Sequence, residues 1–225
     1  MLPADPTGQV NLIVHSSGFH KGEVTSGEVN PYAHVDLAQG ITVVSIGYRL
    51  LGDATWPAPV DDVAVGIDES LPTVQGLIGR PVTDVTETGL SAGGTALALI
   101  NDSPFYPATT VRPDRIITVS APLERNATTQ HHAIDGFRYS RELIWPTPPR
   151  SHVPITLMGT PGDPIAQQNS RVSTIGEFSD DLRRYGVRVA TFFDPHKPGE
   201  HVGISPDLPR YPDVAAAYQR ALTFG

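Results

Sequence analysis

Val85-Thr86-Glu87-Thr88-Gly89-Leu90-Ser91-Ala92-Gly93-Gly94, running on into Thr95-Ala96-Leu97-Ala98-Leu99, reads as a strand, a tight turn and the start of a helix. It contains Gly89-x-Ser91-x-Gly93. A serine at a sharp strand-to-helix turn holds its hydroxyl clear of the backbone, and the turn tolerates no bulk on either side, which accounts for the flanking glycines. Gly94 lets the helix approach neighbouring strands. Such a motif is a hypothesis that takes its weight from its setting, because a serine in this pattern is otherwise an ordinary loop residue.

Upstream, Asn11-Leu12-Ile13-Val14 is a short apolar run that enters the polar segment His15-Ser16-Ser17-Gly18-Phe19, as a buried strand entering a loop would. The segment from Glu23 to Gly40 carries a weak helical pattern through Tyr32, Val35 and Leu37. Ile41 to Tyr48 is rich in β-branched residues and predicts a strand buried on both faces. After Trp56-Pro57, the residues Val60, Val63, Ala64, Ile67 and Leu71 recur on one helix face, with Asp61 and Asp62 near the positive end of its dipole.

Downstream, Arg115 to Ser120 predicts a strand, and Pro154 to Gly159 another, with Gly162-Asp163-Pro164 beyond its carboxyl end. A helix is expected from Ser170 to Gly186, a last strand over Val187 to Phe193, and a final helix from Pro212. Strands alternating with helices indicate a parallel sheet covered on both faces, and sites in such sheets form at the carboxyl ends of the strands.

The 225 residues, 39% of them hydrophobic, suit one domain with one core, expected to span 1–225 with a single long insertion at about 122–150. The 21 Gly and 22 Pro predict many ordered connections. A net charge of −8 without clustered Lys or Arg argues against a nucleic-acid partner. With no cysteine there is neither a disulfide nor thiol chemistry. No basic leader or long apolar window is present, so the expectation is a soluble chain without a membrane span, cytoplasmic rather than secreted.

A serine hydroxyl attacks well at neutral pH only when a base takes its proton, and a carboxylate must hold that base in the right tautomer. In the order serine, acid, histidine, the chain offers Ser91, Asp163 and His201, each after a predicted strand. Asp194 and His196 share the last loop and are the weaker alternatives. His131-His132 with Asp135 lacks the spacing of a metal site, so no metal and no cofactor is expected.

His15-Ser16-Ser17-Gly18-Phe19, Tyr48-Arg49-Leu50 through Trp56-Pro57 to Asp61-Asp62, the Ser91 elbow, Gly162-Asp163 and Glu200-His201 together resemble the α/β-hydrolase superfamily, in particular its hormone-sensitive-lipase-like and feruloyl-esterase-like carboxylesterases. The resemblance covers roughly residues 8 to 205. It implies a three-layer α/β fold with a mostly parallel sheet of about six strands, apparently lacking the family's first two. It further implies a serine carboxylesterase acting on small to medium esters. The runner-up functions are an arylformamidase-like amide hydrolase and a catalytically inactive binding protein. The implied roles are Ser91 as nucleophile, His201 as base and then acid, Asp163 as the orienting carboxylate, and Ser17, Gly18 and Ala92 as oxyanion-hole donors. Phe19 and Trp145 are the candidate pocket walls.

Two departures carry expectations of their own. Where the family has His-Gly-Gly-Gly this chain has His15-Ser16-Ser17-Gly18, which predicts a loop with less freedom to adopt unusual dihedrals. Without the two strands, Ile41 to Tyr48 would form a sheet edge open to a homo-oligomeric contact unless the N-terminal segment covers it.

Overall fold

A computed structural model of the chain describes residues 1–102, 106, 109–119, 121, 155–159, 187–192 and 212–223. Among the described residues, six strands form one sheet: β1 (Gln9–Val14), β2 (Thr42–Ile46), β3 (Asp84–Leu90), β4 (Arg115–Val119), β5 (Ile155–Gly159) and β6 (Val187–Phe192). Their order across the sheet is β2-β1-β3-β4-β5-β6. Every adjacent pair is parallel, so all carboxyl ends lie along one edge. The register sets Val14, the last residue of β1, between Ile46 of β2 and Gly89 of β3. That pairing makes the loop after β1 and the turn after β3 neighbours.

Helices α1 (Asn30–Ala38), α2 (Ala58–Ile78), α3 (Ala92–Asp102) and α4 (Pro212–Thr223) cover the two faces. Strand alternation sorts the core between them. Val10, Leu12, Val14, Val85 and Ile116 pack with α2 and α3, whereas Ile13, Val43, Leu90, Ile117 and Val119 pack with α1 and α4. The stripe predicted for α2 is the buried one: Val60, Val63, Ala64 and Ile67 face the sheet, while Val65 and Leu77 on other faces are exposed. Each fully buried valine or isoleucine contributes about 1.5–3 kcal/mol. Gly79, at φ 66, closes the helix in the left-handed conformation that favours glycine.

β2 lies at one end of the sheet, and the chain's first residue covers part of it. The Met1 ammonium donates to the Val43 carbonyl (2.7 Å), and the Val43 N–H donates back to Met1 (3.0 Å). Among the described residues, no helix is long and apolar enough to cross a membrane.

Among the described residues, two carboxyl groups lie within the apolar layers. On the α1/α4 face, Asp36 accepts hydrogen bonds from Asn11 Nδ2 (2.8 Å) and from the Tyr218 hydroxyl (3.1 Å), which also meets Asn11 and lies 3.3 Å from Thr88 Oγ1. On the other face, Glu87 accepts from Asn101 Nδ2 (2.8 Å). Both are fully buried. Burial pushes the Asp36 carboxyl up to about 7 against the opposing effect of its two donors, and it pushes Glu87 up to about 8. In each case the second carboxyl oxygen has no partner among the described residues, which suits a proton-bearing acid.

A carboxyl whose folded value lies above its unfolded one binds its proton more tightly in the folded chain. Its stabilising contribution is therefore complete below about pH 4 and is lost as pH rises through about 7 for Asp36 and about 8 for Glu87. We predict that a double variant, Asp36→Asn with Glu87→Gln, loses less thermal stability than the wild type between pH 5.5 and 8.5, the gap in Tm amounting to about 2 °C or more. Thermal denaturation across that range checks this, and parallel curves would contradict it.

Candidate active site

Ser91 is the single residue between β3 and α3, and its backbone is left-handed at φ 47. A non-glycine residue takes that conformation only where its surroundings hold it there. Here its N–H donates to the Val119 carbonyl at the end of β4 (2.8 Å), and its carbonyl accepts from Thr95 in the first turn of α3 (3.1 Å). The flanking glycines are required by contact. A Cβ on Gly89 would lie 2.3 Å from the Gly94 Cα, one on Gly93 2.4 Å from the Val14 carbonyl oxygen and 2.6 Å from that of His15, and one on Gly94 2.5 Å from the Ala121 methyl. The helix therefore starts in backbone contact with the end of β1 and the loop beyond it.

That loop is unusual over three successive residues. Ser17, Gly18 and Phe19 are all left-handed, at φ 76, 65 and 64. Only one is a glycine, and the conformation costs other residues roughly 1–2 kcal/mol apiece. The sequence predicted restricted dihedrals for a His-Ser-Ser-Gly loop; the structure adopts the strained dihedrals nonetheless, and the reason lies in what anchors the loop at each end. Ser16 is held at three atoms: its N–H and Oγ both donate to Glu28 Oε1 (2.8 and 2.7 Å), and its carbonyl accepts from the Tyr48 hydroxyl (2.7 Å). At the far end the Phe19 carbonyl accepts from the Leu51 N–H (2.9 Å). The fully buried Phe19 ring packs against Tyr48 and Trp56, with centroids 5.5 and 5.4 Å away.

His15 stacks on Tyr48, ring centroids 4.1 Å apart. Its Nδ1 lies 3.1 Å from the Ser16 carbonyl and so carries the proton in that bond, leaving Nε2 as the bare nitrogen, buried and without a partner among the described residues. Burial lowers the His15 pKa, while the Ser16 bond and the carboxylates of Glu28 and Glu23 pull the other way. Tyr48 is pushed up by burial first and by Glu28 second, which keeps its hydroxyl a donor. The support is completed by Arg49, whose guanidinium grips both oxygens of Asp62 at 2.8 Å and so ties the chain after β2 to α2. The same bonds hold Asp62 below the usual carboxylate range.

The residues expected to form the site divide into two sets. Ser91, Ala92, Ser17 and Gly18 lie at the adjoining carboxyl ends of β1 and β3, and no described residue accepts a hydrogen bond from the N–H of Ser17, Gly18 or Ala92. Phe19 lies in the buried core cluster formed with α2 and α3. Asp163, His201 and Trp145 lie outside the described residues, as do Asp194, His196 and the His131-His132-Asp135 group; the strands preceding Asp163 and His201, β5 and β6, take their expected places in the sheet. Among the described residues no three potential metal ligands cluster. Glu28 escaped the sequence reading altogether, since its contact with Ser16 arises only from the folding of an irregular segment.

An all-parallel sheet covered by helices on both faces, with a serine at a left-handed strand-to-helix elbow, is the α/β-hydrolase fold. Solved structures of that shape include esterase B from Lactobacillus rhamnosis inhibited with a tributyrin phosphonate (17% identity, 97% of this chain and 77% of that one, TM-score 0.70). A bacterial heroin esterase is similar at 18% identity over 99% of this chain and 78% of its own, with a TM-score of 0.65. Carboxyl esterase 2 from the mycorrhizal fungus Tuber melanosporum follows at 16% identity, 98% and 80% coverage, and a TM-score of 0.59. No protein-family model matches the sequence, and no curated protein sequence does.

A single methyl group tests the packing of the elbow. Gly93→Ala is predicted to destabilise the chain by about 1–3 kcal/mol, because its Cβ meets two backbone oxygens that cannot swing aside. Gly76→Ala, the same change in α2 where a Cβ meets open space, should be neutral or should stabilise by up to about 1 kcal/mol. Urea denaturation of the two variants beside the wild type measures both.

Proposed function

We propose that this chain is a carboxylic-ester hydrolase that uses Ser91 as its nucleophile and acts on small to medium esters through an acyl-enzyme. The observation that carries the reading is the left-handed Ser91 at the β3–α3 junction, held by backbone bonds and set against a loop in which the N–H groups of Ser17 and Gly18 have no acceptor among the described residues. The solved structures of similar shape that are named as esterases support the same reading.

In this proposal His201 takes the proton of Ser91 Oγ as that oxygen attacks the ester carbonyl carbon, and Asp163 holds the imidazole in the required tautomer. The carbonyl oxygen, now an anion, is received by the backbone N–H groups of Ser17, Gly18 and Ala92. Donors aimed at that developing charge are worth roughly 3–4 kcal/mol each. Collapse of the tetrahedral intermediate breaks the ester C–O bond, and the leaving alkoxide takes the proton from His201. A water molecule, deprotonated by the same imidazole, then releases the acid and restores the serine. Phe19, from beneath the loop, and Trp145, in the insertion at about 122–150, are the residues proposed to shape the pocket.

The test is labelling with a fluorophosphonate alongside hydrolysis of p-nitrophenyl acetate and butyrate. Wild-type protein is expected to react and to turn over both esters. Ser91→Ala should abolish labelling and lower kcat by at least about 10³-fold while leaving the fold intact. Folded wild-type protein that neither labels nor hydrolyses would overturn the proposal. Activity should also decline as pH falls far enough to protonate the His201 imidazole, since a protonated imidazole cannot take the proton of Ser91. A kcat/KM flat from pH 5 to 8 would count against that residue as the base.

A further inference from the structure

We propose that Glu28 is a positioning residue for the ester-hydrolysing site: by clamping Ser16 through two hydrogen bonds, it holds Ser17, Gly18 and Phe19 in the left-handed run that presents backbone N–H groups to the oxyanion. The inference rests on the proposed role of that loop and deepens it.

The geometry is a two-point grip on one residue. One carboxylate oxygen, Glu28 Oε1, receives both the N–H and the Oγ of Ser16, at 2.8 and 2.7 Å. The second bond exists because residue 16 has a hydroxyl, where the resembling family has a glycine without one. Glu28 is itself rigidly carried. It immediately precedes Val29, a buried core residue whose N–H donates to Ser26 and whose carbonyl accepts from Ala33 in α1. The clamp thus fastens the loop to a helix packed on the opposite face of the sheet from α3, the helix that begins beside Ser91.

The clamp also has a direct structural consequence. Beyond Ser16 the chain turns left-handed three times in succession, and only one of those residues relaxes its dihedral strain by being glycine. The Phe19 end is secured by its buried ring and by the Leu51 N–H. At the other end the Tyr48 hydroxyl holds the Ser16 carbonyl but not its N–H or its hydroxyl; Glu28 takes both, and the other contact of the hydroxyl is the longer one to Ser17 Oγ at 3.4 Å. Without it, Ser17 and Gly18 would sample the ordinary right-handed or extended backbone, and their N–H groups would no longer be held in one fixed arrangement.

Donors that serve the oxyanion act in the transition state more than in substrate binding, so loosening them lowers kcat rather than raising KM. We therefore compare wild type, Glu28→Ala, Glu28→Gln and Ser16→Ala by kcat and KM on p-nitrophenyl acetate, by the rate of fluorophosphonate labelling at Ser91, and by Tm. Glu28→Ala is expected to lose about 10- to 100-fold in kcat and in labelling rate, with KM within about twofold. Glu28→Gln, which keeps a carbonyl acceptor in place, should recover most of that loss. Ser16→Ala, which removes one of the two bonds, should fall between them, and it carries the test if Glu28→Ala does not fold.

Folded Glu28→Ala with unchanged kcat and labelling rate would overturn the inference. So would Ser16→Ala indistinguishable from wild type, or Glu28→Gln as impaired as Glu28→Ala. Each of these leaves the reading of Ser91 standing. Wild-type protein that neither labels nor hydrolyses would overturn both.

Discussion

The first turn of α3 touches the carbonyl oxygens of Val14 and His15 so closely that Gly93 has no room for a methyl group, and from this contact the site takes its shape. The contact requires Val14 to end opposite Gly89, which the parallel register supplies, and it requires a backbone at Ser91 that reverses sharply enough to start a helix there. Two loops that are far apart in sequence are thereby joined at one edge of the sheet. Side-chain contacts then refine a placement that backbone packing has already made: Tyr48 and Glu28 on Ser16, and Leu51 on Phe19.

Strands β1 and β4 were legible because they are buried along almost their whole length and therefore spell themselves with valine, isoleucine and leucine. Predicted and observed strands differ by only a residue or two at the ends: the run expected over Ile41 to Tyr48 is a strand over Thr42–Ile46, and the strand expected to begin at Val85 begins at Asp84, while the helix expected from Thr95 already starts at Ala92. The stripe of α2 was equally plain, whereas the weak pattern from Glu23 to Gly40 concealed where α1 starts. It begins only at Asn30, and the residues before it form the irregular segment that bears Glu28.

The elbow could be read because a glycine requirement leaves a trace in composition. The anchoring of Ser16 could not, because a single glutamate in a polar segment has no period, no motif and no neighbour in sequence to announce its partner. The same holds for Glu87 and Asp36: a carboxyl in an apolar strand or a weak helix does not reveal which amide or phenol will meet it. His201, Asp163 and Trp145 were placed by chain order and resemblance alone, and their roles remain proposals on that footing.

The polar cluster beneath the α1/α4 face joins residues from opposite ends of the chain. Asn11 is in the first strand, Asp36 and Thr88 follow, and the phenol that links all three belongs to Tyr218 in the final helix. An acid and an amide on that side have no counterpart from α4 until residue 218 has been made. During synthesis on the ribosome, the early strands can assemble against α2 and α3 while their other surface still waits, wet and incomplete, for α4 to emerge. This layer can first become dry once the Tyr218 phenol has closed over Asn11, Asp36 and Thr88.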